Sequence, residues 1–166
     1  MTGENASVFV TPQLYEQIVG SDRNLIAIET PRPDEVLAQF RHFAVRSGSS
    51  IYWWNETEGV TSLRDSNASI PGSARLADAL RHIGSSIHYG VYLFPKLGAQ
   101  LRFAPNRAQS LAALRQFAKA RSGTNVRKLV MIDTQITEGL EELAMRIRDE
   151  PTTSKRLRLR DGRWVR

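Results

Sequence analysis

The side chains able to do chemistry in this sequence are few, and their spacing argues against most of it. There is no cysteine, which removes disulfides, thiol nucleophiles and thiolate metal sites. The three histidines, His42, His82 and His88, show no arrangement with a second histidine or a carboxylate that would hold a metal, so packing or solvent exposure is the simpler assignment. Glu56 and Glu58 flank the end of an aromatic run and could form a carboxylate pair at a strand end, but a solvated turn is the better reading. Arg156, Arg158 and Arg160 fall on one side of a predicted strand. That spacing could meet phosphates or an acidic protein surface, or simply keep an edge strand from aggregating. No residue earns a catalytic role, and no metal or cofactor is called for.

Charge placement narrows the partners. The net charge of +6 over 166 residues resembles a nucleic-acid signal until it is located. Lys155 to Arg166 holds six basic residues and one acid, so this tail carries +5 and leaves the body near +1. The aromatics fall in core segments and the basic residues in the tail, so a basic face with stacking aromatics is not assembled. Nucleic-acid binding through the tail is possible but the lesser reading. No apolar run approaches the roughly 20 residues of a membrane span, and the polar start MTGENAS lacks the order of a signal peptide, so a cytoplasmic protein is expected.

The elements that would position these residues alternate. Thr11-Pro12 predicts a capped lead-in helix with Leu14, Tyr15, Ile18 and Val19 as its apolar stripe. Asn24 to Thr30 reads as a buried strand. Val36, Leu37, Phe40, Phe43 and Ala44 then give a helix ending near Gly48. Ile51 to Trp54 is a second strand that sends Trp53 and Trp54 to opposite faces, with NETEGV as the turn beyond it and Thr61 to Ser73 as an exposed loop. A helix from Ala74 to about Ile83, a strand from Ile87 to Phe94, a helix from Arg107 to Arg121 and a strand from Lys128 to Asp133 follow. EGLEELA reads as a short helix, MRIRDE as a further strand, and RLRLRDGRWVR as a hairpin turning at Asp161-Gly162, with Leu159 opposite Trp164 and Arg160 opposite Arg163. Such alternation predicts one α/β domain over 1–166, with a lead-in (1–23), a core (24–151) and a basic tail (152–166). Its architecture is a three-layer sandwich around a mainly parallel sheet of about five strands.

The segments LIAIETPRPDEVLAQF, YWWNETEGV, HYGVYLFPKL and KLVMIDTQITEGLEELAMRI resemble the N-terminal, P-loop-lacking domain of AAA-type ATPases found in cyanobacteria, plastids and many bacteria. The resemblance runs from about Asn24 to Pro151. It implies a sheet like that of RecA and AAA proteins, with a nucleotide loop after the first strand, a metal-organising acid after the Tyr89 to Phe94 strand and a sensor at the end of the Lys128 to Asp133 strand. A working nucleotide loop needs glycines to wrap phosphates, a lysine and a Ser/Thr for magnesium. Here Ile28 is followed by Glu-Thr-Pro-Arg-Pro-Asp-Glu, with no Gly, no Lys and two prolines, and with acids that would repel phosphate. Phe94-Pro95-Lys96 puts a cation where the metal acid would stand. Asp133-Thr134-Gln135 keeps polar groups at the sensor position, although an ordinary strand end capping a helix explains them more simply.

These residues lead to the expectation of a non-catalytic, pseudo-ATPase-like module, a subunit or adaptor in a larger assembly. The resemblance adds an AAA-type ATPase as a candidate partner. In the family the domain is fused to one, whereas this sequence ends at Arg166, so the ATPase would be a separate polypeptide or the domain would serve another assembly. Self-association is left open. Thr30, Arg32, Asp34, Lys96, Asp133 and Thr134 are the candidates for a degenerate nucleotide edge, and Arg156, Arg158, Arg160, Arg163 and Trp164 for partner contact. The alternative is a sensing domain that binds nucleotide without hydrolysis, Arg32 replacing the lost lysine at a phosphate.

Overall fold

The computed structural model describes residues 9–85, 89–120 and 127–149. α1 (Pro12–Val19) starts where Thr11 Oγ1 accepts a hydrogen bond from the Leu14 N–H at 3.1 Å, with Pro12 in the first turn. β1 (Leu25–Glu29) leads into α2 (Pro33–Ser47), which ends at Gly48 in the left-handed conformation, φ 72°. Then come β2 (Ile51–Asn55), β3 (Gly59–Ser62), α3 (Leu76–Ser85), β4 (Gly90–Pro95), α4 (Leu97–Phe103), α5 (Arg107–Lys119), β5 (Arg127–Asp133) and β6 (Ala144–Arg148).

The sheet runs β3-β2-β4-β5-β1-β6, with every neighbouring pair parallel except β2 and β3. Strand alternation divides its apolar residues between two layers. Ile26, Ile28, Val91, Leu93, Val130 and Ile132 pack under α1 and α2. Leu25, Ala27, Tyr92, Phe94, Leu129 and Met131 pack under α3, α4 and α5. The result is the expected three-layer α/β sandwich, and the two indoles separate as alternation requires: Trp54 is buried against Phe94, while Trp53 is half-buried on the α2 side beneath Arg41. Lys128 is a charged side chain within the core: 1% exposed, it donates from Nζ to the Ser21 and Arg23 carbonyls at 2.7 Å each. These bonds tie the turn before β1 to β5, and burial holds the Lys128 pKa below the ordinary lysine value.

Three local expectations are corrected. The segment from Thr61 to Ser73 is not wholly an exposed loop. Its first residues belong to β3, antiparallel to β2, and Thr61, Leu63 and Ser73 are buried. The reversal uses Asn55 Oδ1, which accepts from the Thr57 and Glu58 N–H groups, and Gly59 at φ 80°. EGLEELA forms turns that lead into β6 at Ala144 rather than a helix, because Gly139 sits at φ 93°, outside helical backbone, while Leu140 is buried beneath the sheet. α4 was not foreseen; its seven residues lie between β4 and α5 and bury Leu97 and Leu101. The further strand in MRIRDE is present as β6, giving six strands rather than about five. The tail hairpin, including Arg156, Arg158, Arg160, Arg163 and Trp164, and the start of the Ile87 strand lie outside the described residues. Among those described, no helix is long and apolar enough to cross a membrane.

Candidate functional site

β1 and β5 are neighbours whose outgoing connections leave on opposite faces. α2 packs on one side of the sheet, while the segment after β5 places Leu140 on the other. Divergence of two connections marks the usual ligand position in such sheets, beyond the carboxyl ends of the strands, but here the gap between β1 and β5 is filled and has no room for a water molecule. Thr30, Arg32, Asp34, Lys96, Asp133 and Thr134 all gather at this edge, so the candidates chosen from the sequence are brought together.

Most of their side chains are engaged by other groups at the same edge. Thr30 N–H donates to the Asp133 carbonyl at 2.8 Å, and its hydroxyl donates to Asp149 Oδ2 at 2.7 Å. The same Asp149 oxygen receives Arg32 Nη2 at 2.7 Å, and Arg32 Nη1 reaches Glu35 at 3.1 Å. Asp149 is 8% exposed, so its charge is stabilised by these donors rather than by bulk water. The Asp149 carboxylate beside Arg32 raises the guanidinium pKa further. Lys96 Nζ lies 3.0 Å from Asp34, with both side chains largely exposed. Asp133 Oδ2 accepts from the Gly98 N–H at 3.0 Å and Oδ1 from the Thr134 N–H at 2.8 Å. Asp133 thus caps the start of α4, a helix that sequence reasoning did not include.

Glu29 completes the edge. Its two oxygens receive Arg146 Nε and Nη2 at 3.1 and 2.9 Å, and Arg148 Nε approaches at 3.2 Å. The Arg146 bonds hold the Glu29 carboxyl below its ordinary pKa, against the opposing effect of burial. The acids expected to repel a phosphate are therefore each matched: Glu29 by Arg146 and Arg148, Asp34 by Lys96, Glu35 by Arg32. Arg146, Arg148 and Asp149 were absent from the sequence candidates. Placing MRIRD as a parallel strand beside β1 would have found them, since parallel pairing brings the two carboxyl ends to the same edge.

Beside this cluster lies an open cleft of about 440 Å³, lined by Arg102, Arg107, Thr134, Gln135, Thr137 and Glu138 among others. Glu56 and Glu58 are both exposed on the β2–β3 turn, where Glu56 accepts a long 3.4 Å bond from Gln100. His42 on α2 is exposed and His82 on α3 is half-buried on the other face; His88 lies outside the described residues.

The profile of one protein family, described as SpoVK-like AAA ATPase, N-terminal domain, matches residues 12–148. No curated protein and no solved structure matches the chain significantly.

Proposed function

Because the chain belongs to the family of SpoVK-like AAA ATPase N-terminal domains, we propose that it is a non-catalytic protein-binding module, a subunit or adaptor that works with an AAA-type ATPase. The observation that carries this reading is the closed, self-neutralised edge at the carboxyl ends of β1, β5 and β6. Arg32 and Lys96, the cations that the sequence offers at the nucleotide edge, already face carboxylates, Arg32 that of a buried aspartate. A nucleotide bound through Arg32 would have to break it away from Asp149 and leave that carboxylate buried without it, a loss that phosphate contacts would first have to recover. The connection from β1 to α2 supplies no glycine, and Pro31 and Pro33 have no N–H to offer.

Calorimetric titration of the purified chain with MgATP, alongside a phosphate-release assay, tests the reading. No saturable binding at millimolar nucleotide and no release above buffer are expected. Saturable binding that is lost in Arg32→Ala, or hydrolysis by the isolated chain, would overturn it.

A second reading rests on the 440 Å³ cleft, whose Arg102 and Arg107 stand beside the polar turn after β5 and could receive a polar anionic ligand without disturbing Arg32. In that case nucleotide or another anion would raise the melting temperature of the chain, and Arg102→Ala with Arg107→Ala would cancel the shift.

A further inference from the structure

A second cleft, of about 360 Å³, opens beyond the carboxyl ends of β2 and β4. Its walls include Trp54, Leu76, Phe103 and Pro105, and its lining includes Ser110 from the first turns of α5. Three independent features converge there. Phe103 is 79% exposed, the most exposed large apolar side chain among the described residues. Ser110 is 1% exposed, and its Oγ is the buried side-chain atom among those residues left without a hydrogen-bond partner. Buried hydroxyls are ordinarily paired, so this one calls for an explanation. The N-cap of the same helix, Asn106, makes no side-chain capping bond.

The chemistry of an occupant follows from what the walls have left to offer. The Trp54 indole N–H already donates to the Ser73 carbonyl at 3.1 Å, so Trp54 presents only apolar surface. Arg75 and Glu56 stand at the lining with opposite charges, which favours a neutral occupant over an ion. A volume near the lower end of the roughly 300–1,000 Å³ range of ligand pockets suits one ring rather than a nucleotide. An aliphatic or phenylalanine side chain would fill the apolar part and leave the serine hydroxyl unpaired. A phenol has an aromatic body and a single polar tip able to donate or accept, which meets both demands.

We propose that this cleft is a docking pocket for a tyrosine side chain of a partner protein, the ring lying among Trp54, Phe103 and Pro105 and the phenol hydroxyl bonded to Ser110 Oγ. The proposal rests on the reading of the chain as a protein-binding module and assigns that binding a surface. It also gives exposed Phe103 a role, since the incoming ring covers it. The polar cluster around Arg32 and Asp149 is not used.

The test is a ¹H–¹⁵N titration of the full chain with N-acetyl-tyrosinamide and, separately, N-acetyl-phenylalaninamide, reading the Trp54 indole N–H and the Phe103 amide. Saturable shifts at both signals are expected, with the tyrosine compound binding about fivefold more tightly, the worth of one ordinary hydrogen bond. Ser110→Ala should bring the two compounds to equal affinity without lowering the melting temperature, because no hydrogen bond is lost. Phe103→Ser should weaken both. Absence of shifts at Trp54, equal affinities for the unaltered chain, or a preference that survives Ser110→Ala would overturn the pocket. Should an AAA-type ATPase bind the chain while these compounds do not, the pocket falls and the protein-binding reading stands. Should the compounds bind as expected and no ATPase do so, the reverse holds for the ATPase partnership.

Discussion

Asp149 and Glu29 organise the carboxyl edge in different ways. Asp149 is buried and receives both the Thr30 hydroxyl and Arg32, so Asp149→Ala strands two donors at once. Partial exposure of Arg32 lets water recover some of the loss, and a destabilisation of about 1–3 kcal/mol is expected in urea unfolding. Glu29 acts through pH. Its carboxyl is held below its ordinary value of 4.5 by Arg146, so the unfolded chain binds the proton more readily. The stabilisation is therefore complete above about pH 4.5 and is lost as pH falls through the lowered value. Melting temperatures measured across that acid range should drop less steeply for Glu29→Gln than for the unaltered chain. The exposed Lys96–Asp34 pair makes a contrast, since surface pairs of this kind are worth only about 0–1 kcal/mol.

At the scale of elements, the β2–β3 hairpin depends on Gly59. Its φ of 80° suits glycine, and a Cβ built there would meet the Ser73 carbonyl carbon at 2.7 Å and the Ala74 nitrogen at 2.9 Å. Gly59→Ala should cost about 1–3 kcal/mol, and hydrogen exchange should show the loss of protection concentrated in β3 and the segment through Ser73. This hairpin also marks where sequence reasoning stopped. The buried strands β1, β4 and β5 were legible because continuous apolar runs of strand length sit between helices with capped or glycine-marked ends. β3 was not, since Gly59 to Ser62 has one large apolar residue, and its strand character comes from pairing with β2 rather than from its own composition. The same holds for the helix expected at EGLEELA, where local propensity favoured a helix and a left-handed Gly139 with a buried Leu140 prevailed. Within the site, residues close to β1 and β5 could be chosen from their strand-end positions. Asp149, Arg146 and Arg148 required knowing that β6 pairs with β1 across 119 residues of separation, as between Thr30 and Asp149, which no local pattern encodes.

At the scale of the whole molecule, the parallel sheet presents its carboxyl edge with two different surfaces. Around β1, β5 and β6 the edge is closed by ion pairs that neutralise one another, while beyond β2 and β4 it is open, apolar and lined by an unpaired hydroxyl. The proposed protein-binding role rests on this division of the edge, and family membership makes an AAA-type ATPase the proposed partner. The most direct measurement is isolation of the tagged chain from its native cells, with protein and nucleotide in the recovered material both quantified. An AAA-type ATPase in stoichiometric amount, with no nucleotide retained when the domain is purified away from it, is the expected result. Recovery without any such ATPase, with nucleotide or nucleic acid bound to the domain in its place, would contradict the assignment.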